Sequence, residues 1–184
     1  MYSLRKIGGL LQGHPDSKHI NGVDVSTGSL GQGISNAVGM ALGLRHLGRP
    51  SKVYTILGDG EVQEGLVWEA AMAAGHYKLN NLTAIIDNNG LQIDGRNEDV
   101  MNISPLDKKF ESFGWNVIIC EDGNDFDAID KAFKEADKCS DKPSVIIAKT
   151  VKGKGVSFME DQAGWHGAAP NEEEKNKAIK EILA

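Results

Sequence analysis

The stretch Lys52–Gly95, KVYTILGDGEVQEGLVWEAAMAAGHYKLNNLTAIIDNNGLQIDG, constrains this chain more than any other. A short apolar run rich in β-branched residues ends in Gly58-Asp59-Gly60, a strongly helical segment follows, and a second apolar run, LTAIID, ends in Asn88-Asn89-Gly90. Strand, helix and strand in that order form one crossover unit of a parallel sheet. The acidic and amide side chains then stand at the carboxyl ends of both strands, the edge at which open parallel sheets bind ligands. Taken singly, GDG and NNG read most simply as tight turns. Together, with a helix between them, they bring the oxygens of Asp59 and Asn89 within reach of one hard cation. Such a cation takes carboxylate, amide and carbonyl oxygens and keeps positions open for phosphate.

The rest of the chain continues the alternation. Residues 1–27 are crowded with Gly, Pro, Asn and Asp and read as a leading loop that carries His14 and His19. From Gly28, GSLGQGISNAVGMALGLRHLG places apolar residues at helical spacing, with Ser29 as a candidate cap and Gly48-Arg49-Pro50 as the stop. Its small residues, Gly33, Ala37, Gly39, Ala41 and Gly43, let another backbone pack close, so this helix is expected to be tightly buried, another subunit being one candidate neighbour. Lys52–Leu57 follows as a strand. Glu64–Tyr77 is a helix packing through Leu66, Val67, Ala70, Ala74 and Tyr77, and Leu82–Asp87 is the next strand. After a loop over Gly90–Asn102 come a helix over Pro105–Phe113, a strand over Trp115–Cys120, a helix over Asp125–Cys139 and a strand over Ser144–Lys149. A long glycine-bearing loop, TVKGKGVSFMEDQAGWHGAAPN, leads to a charged helix over Asn171–Leu183. The fold class is α/β: an open parallel sheet with helices on both faces.

At 184 residues the chain reads as one domain across 1–184, and 40% hydrophobic with 25% charged residues is an ordinary globular composition. A net charge of −6 argues against nucleic-acid or membrane-surface partners. No apolar run approaches a membrane span, and IGGLL near the start is too short and glycine-rich for a signal-peptide core. Cys120 and Cys139 lie at no motif spacing. This points to a reducing, cytoplasmic compartment, with neither a disulfide scaffold nor a thiolate metal site.

Around the cation motif the chain resembles a known family. GHP, VSTGSLGQGISNAVGMALG, GDGEVQEGLVWEAA, DNNGLQIDG, KTVKGKG and WHG look like transketolase, in the same order, over nearly the whole chain. The resemblance is to the pyrophosphate-binding half of that enzyme and above all to the N-terminal subunit of two-piece transketolases. It implies thiamine diphosphate as cofactor, with Mg²⁺ or Ca²⁺ held by Asp59, the side-chain oxygen of Asn89 and the Leu91 carbonyl. Gly60 and Glu61 would offer backbone N–H groups to the phosphates at a helix start. Gly28 and Leu30 would lie against the aminopyrimidine, and Ile93 belongs to the same cofactor-binding set. Lys152 and His166 would reach the diphosphate and the reacting centre, and His14 would touch substrate oxygens. Glu64 would join a carboxylate network at a dimer interface. Each has a plainer reading beside it: a solvated basic loop for Lys152 and His166, a loop histidine for His14, a complement to the helix dipole for Glu64.

The resemblance also implies absent pieces. Family members carry a further segment before GHP, with histidines that touch cofactor and sugar, so 1–184 reads as an N-terminally short pyrophosphate-binding domain. The pyrimidine-binding half is a separate C-terminal subunit, making a homo- or hetero-oligomer. With that partner the implied activity moves a two-carbon ketol unit from a ketose phosphate to an aldose phosphate, and the chain alone is expected to be inactive. Two alternatives stay open. One is the half of another thiamine-dependent enzyme such as deoxyxylulose-phosphate synthase, which QEG and NGLQIDG disfavour; the other is a truncated module that assembles without chemistry.

Overall fold

The apolar β-branched runs pair side by side. The computed structural model describes residues 4–184, so Met1–Ser3 of the leading loop lie outside the described residues. The chain runs α1 (Gln32–His46), β1 (Val53–Gly58), a 3₁₀ turn (Gly60–Gln63), α2 (Gly65–His76), β2 (Leu82–Asn88), a two-stranded hairpin of β3 (Leu91–Gln92) and β4 (Gly95–Arg96), and α3 (Asn97–Val100). It continues with α4 (Leu106–Ser112), β5 (Asn116–Cys120), α5 (Phe126–Lys138), β6 (Ser144–Lys149), a 3₁₀ turn (Ala163–Trp165) and α6 (Glu172–Ile182). The main sheet is parallel, in the order β1-β2-β6-β5, with Val53 opposite Leu82, Gly58 opposite Asp87 and Asn88 opposite Lys149. The central strands β2 and β6 are nearly continuous in buried apolar residues, as a parallel sheet covered on two faces requires.

One face of the sheet meets α1, α2 and α4. Leu57, Leu82, Ile86, Val145, Val67 and Phe110 are fully buried there, each stabilising the fold by roughly 1.5–3 kcal/mol relative to exposure. Phe110 sits between Trp68 and Trp115, at centroid distances of 5.3 and 5.4 Å, and the Trp115 Nε1–H donates to the Ala71 carbonyl at 2.8 Å. The other face is covered by α5 over β5 and β6, through Ile118, Cys120, Ile146, Ala148, Ala132 and Ala136. The fold class read from the sequence is the one observed, and both cysteines are free thiols. Among the described residues no helix is long and apolar enough to cross a membrane.

Three local expectations are corrected. Ser29 is not the cap of α1. Gly31 holds that position at φ 78°, and its N–H donates to Glu61 Oε1 at 2.8 Å, so a carboxylate from thirty residues on supplies the acceptor a serine would have given. Within this chain helix α1 is buried on one stripe, Ile34, Ala37, Val38 and Ala41, and a Cβ on Gly39 or Gly43 would meet no atom of the chain within 4 Å. Tyr77 ends α2 instead of packing beneath it and is half-exposed. The loop over Gly90–Asn102 is partly ordered as the β3–β4 hairpin and the single turn of α3, closed by the Asn97 N–H to the Gly90 carbonyl at 2.9 Å.

Candidate cofactor and metal site

The carboxyl ends of β1, β2 and β6 are knitted together by backbone hydrogen bonds: the Asp59 N–H to the Asp87 carbonyl at 3.1 Å, and the Thr150 N–H to the Asn88 carbonyl at 3.3 Å. Asp59 directly follows β1 and is only 1% exposed. Its Oδ1 accepts the Gly60 N–H at 2.8 Å and its Oδ2 accepts the Gly90 N–H at 2.5 Å, so one carboxylate bridges the two turns that end β1 and β2. Burial pushes the Asp59 carboxyl above the ordinary carboxylate range, and the Asp87 charge adds to this. The N–H groups of Gly90 and Gly60 and the Asn97 amide act in the opposite direction.

Asn89 lies beside this bridge. Its Oδ1 accepts the Leu91 N–H at 3.0 Å and its Nδ2 donates to Asp87 Oδ1 at 3.3 Å. Thr150 Oγ1 also donates to Asp87 Oδ1, so Asp87 orients the amide from below while Thr150 ties β6 to the same point. Sequence reasoning singles out neither Asp87 nor Thr150. The signal is present in DNNG, where a third polar side chain stands at the same strand end.

Two cavities open along this edge. One, of about 550 Å³, is lined by Asp87, Asn89, Thr150, Lys152 and Gly153 together with Ile56 and Ile85. The other, of about 460 Å³, is lined by Gly28, Leu30, Glu61 and again Ile56. Ile56 on β1 is 74% exposed and walls both, so the two cavities meet across the end of one strand. Glu61 holds the second cavity's rim in place, since its Oε2 also accepts the Gly58 N–H at 3.2 Å while Oε1 holds Gly31.

The sequence-derived site residues are distributed as follows. Asp59, Gly60, Asn89 and Leu91 form one cluster, and Lys152 faces the cavity beside Asn89. The Gly60 N–H, expected to face a phosphate, donates to Asp59. Gly28 and Leu30 line the second cavity, and His14 packs directly on Gly28, where an added Cβ would lie 1.9 Å from His14 Nδ1. Ile93 is exposed at the tip of the β3–β4 hairpin, and Glu64 is exposed at the N-cap of α2. His166 is exposed at the end of the 3₁₀ turn. No hydrogen bond or cavity among the described residues joins it to Asp59 or Asn89. Its loop is nevertheless tied towards the hairpin by Arg96–Asp161 at 2.7 Å, and Trp165 Nε1–H anchors it on the Phe158 carbonyl at 3.1 Å.

The donor set is oxygen only: a buried carboxylate, an amide and backbone carbonyls. One carboxylate is too little charge for an all-protein cation cage, and it suits a cation that arrives with phosphate oxygens of its own. A buried Asn97 Nδ2 adjoins Asp59, whose own carboxyl pKa is raised by burial. These residues fit a hard divalent cation bridged to a diphosphate.

Fold and edge together define an α/β domain that gathers oxygen and amide groups at two adjacent parallel strand ends. The chain belongs to the transketolase family: residues 1–183 match the family model described as transketolase, thiamine diphosphate binding domain. It is 42% identical over 180 residues to an apulose-4-phosphate transketolase subunit of Phocaeicola vulgatus, covering 98% of this chain and 63% of that protein. It is 43% identical to the 6-deoxy-6-sulfo-D-fructose transketolase subunit of a Clostridium species, covering 98% of this chain and 65% of that one. The crystal structure of Campylobacter jejuni transketolase superposes with a TM-score of 0.92 at 36% identity, over 98% of this chain and 29% of that one. The chain thus spans less than two thirds of the length of these curated relatives.

Proposed function

We propose that this chain is the metal- and diphosphate-holding part of a transketolase that works with a pyrimidine-binding partner subunit to transfer a two-carbon ketol unit between sugar phosphates. The observation that carries this reading is the pair of cavities sharing Ile56, one flanked by Asn89 and Lys152 and the other by Gly28 and Leu30. An elongated ligand with an anionic end and a flat heteroaromatic end fits such a pair. Bound there, thiamine diphosphate supplies the carbanion chemistry of ketol transfer.

The protein's own groups divide the work. Asp59, Asn89 and the Leu91 carbonyl hold Mg²⁺ or Ca²⁺, and Lys152 with the Glu61 N–H neutralises diphosphate charge. Gly60 contributes by fixing Asp59, to which its N–H donates. The backbone of Gly28 and Leu30 supports the heteroaromatic end, and Ile93 closes over it from the hairpin. His14 and His166 bind and exchange protons with substrate oxygens at the open end. Glu64, exposed beside Gly31, takes part in the contact with the next subunit. The relatives' names, each of them a transketolase subunit, support a partner chain, and the cytoplasm, with its reduced thiols, suits the two free cysteines.

The test is a titration of thiamine diphosphate with Mg²⁺ on the chain together with its partner. Asp59→Ala is expected to abolish the cation dependence, weakening cofactor binding beyond the tenfold to hundredfold typical of outer-layer changes. Binding that is equally tight with and without Mg²⁺ in both proteins would refute the reading.

A further inference from the structure

Asn97 opens α3 and is 5% exposed. Its backbone N–H donates to the Gly90 carbonyl, and the Gly90 N–H in turn donates to Asp59 Oδ2. Its side-chain Oδ1 accepts Gln92 Nε2 at 2.9 Å. Because Gln92 offers a donor there, the Asn97 Nδ2 must be turned the other way. That Nδ2 is buried and lies near enough to Asp59 to lower its carboxyl pKa, but it makes no well-formed hydrogen bond. The pair packs directly on the turn after β1, since a Cβ on Gly60 would lie 3.0 Å from Gln92 Cβ and 3.7 Å from Asn97 Oδ1. Leaving a buried donor unpaired is unfavourable, and native proteins keep few such groups.

A carboxylate has room for about four hydrogen bonds or ligands. Gly60 and Gly90 take one place on each oxygen of Asp59. We propose that Asn97 is a positioning residue of the metal site: its Nδ2 takes a third place on Asp59 when the cation is bound, so that the remaining lone pair is held towards the metal. Gln92 is the residue that keeps the Asn97 amide in this orientation. This inference rests on the metal-site reading above and adds to it a second layer of residues, none of which offers the cation a ligand.

The experiment uses Mn²⁺ as the probe, with thiamine diphosphate present, on the chain together with its partner. Mn²⁺ affinity is read by electron paramagnetic resonance, and thermal unfolding is followed separately without metal. In Asn97→Leu the Mn²⁺ affinity is expected to fall about tenfold or more, while the metal-free melting temperature stays level or rises because an unpaired donor has gone. Gln92→Leu is expected to shift Mn²⁺ affinity in the same direction by less. The double variant, which also removes the Gln92 donor left without its acceptor, is expected to match Asn97→Leu in affinity. A fall in melting temperature that accompanies the loss of affinity in both the single and the double variant would assign Asn97 a purely structural role and overturn the proposal. Unchanged Mn²⁺ affinity in Asn97→Leu, with Asp59→Ala abolishing binding, would overturn it and leave the metal site standing. Unchanged binding in Asp59→Ala would overturn both.

Discussion

At the scale of the residue, the site turns on the contrast between Asp59 and Asn89. A carboxylate at 1% exposure is costly to ionise, and the fold offsets this with two backbone donors. A second acid in place of Asn89 would set like charge against the diphosphate, so a neutral oxygen suits the second position better. Gly28 shows how closely the backbone of this edge is specified. It holds φ 135°, and a side chain there would occupy the His14 ring. Gly28→Ala is expected to strain the loop by about 1–3 kcal/mol and to displace His14, seen as a shift of its imidazole resonances by NMR. Gly22, at φ 86° with open space around it, is the control: Gly22→Ala strains its own backbone and leaves those resonances in place. Asp59 and Asn89 were legible as single letters because each ends an apolar run. Asn97 was not, because nothing in GRNEDV marks which of its polar residues turns inward.

At the scale of the element, glycine-bearing helices need not be close-packed at their glycines. Gly43 in α1 and Gly75 in α2 look alike in sequence, yet a Cβ on Gly43 meets nothing within 4 Å, whereas one on Gly75 would lie 1.8 Å from the Phe113 carbonyl oxygen. Gly43→Ala is therefore expected to stabilise the isolated chain by about 0.5–1 kcal/mol. Gly75→Ala is expected to destabilise it, because overpacking of about 1–3 kcal/mol exceeds the gain in helix propensity. Urea unfolding of the two variants should move the midpoints in opposite directions. Helix α6 offers a pH test. Glu181 accepts the Ser157 N–H at 2.6 Å and the Ser157 Oγ–H at 2.9 Å, and these bonds lower its pKa below the ordinary 4.5. A depressed carboxyl pKa contributes stability that is present above the unfolded value and lost as pH falls through the folded one. The Ser157 amide resonance is expected to titrate with a midpoint below 4.5 as α6 loosens from the 150s loop, and Glu181→Gln should remove that titration.

At the scale of the whole molecule, the sheet leaves one end unfinished. Among the described residues strand β1 pairs only with β2, and Tyr54 and Ile56 on it are 50% and 74% exposed because α5, on the same face, lies mainly over β5 and β6. The same Ile56 walls both cavities, so the candidate site stands open along that edge. On the proposed division of the site between two subunits, catalysis is expected only in the assembled enzyme. Purified chain with thiamine diphosphate, Mg²⁺, a ketose phosphate and an aldose phosphate should show no turnover, and addition of the pyrimidine-binding subunit should restore it. Turnover by the chain alone would refute the division of the site between two subunits.

The sequence by itself determined the order of strands and helices and the placing of Asp59 and Asn89 at strand ends. Those properties follow from local periodicity and from the length of one crossover, which a linear string carries in full. Only the tertiary structure decided that Glu61 would hold Gly31, that Ile56 would join two cavities, that Gly75 and not Gly43 would be packed tight, and that Asn97 would keep an unpaired donor beside Asp59. Each of these depends on which strands become neighbours and on the direction in which a donor points after its loop closes. Residues far apart in the chain acquire such relations only when the sheet brings them together.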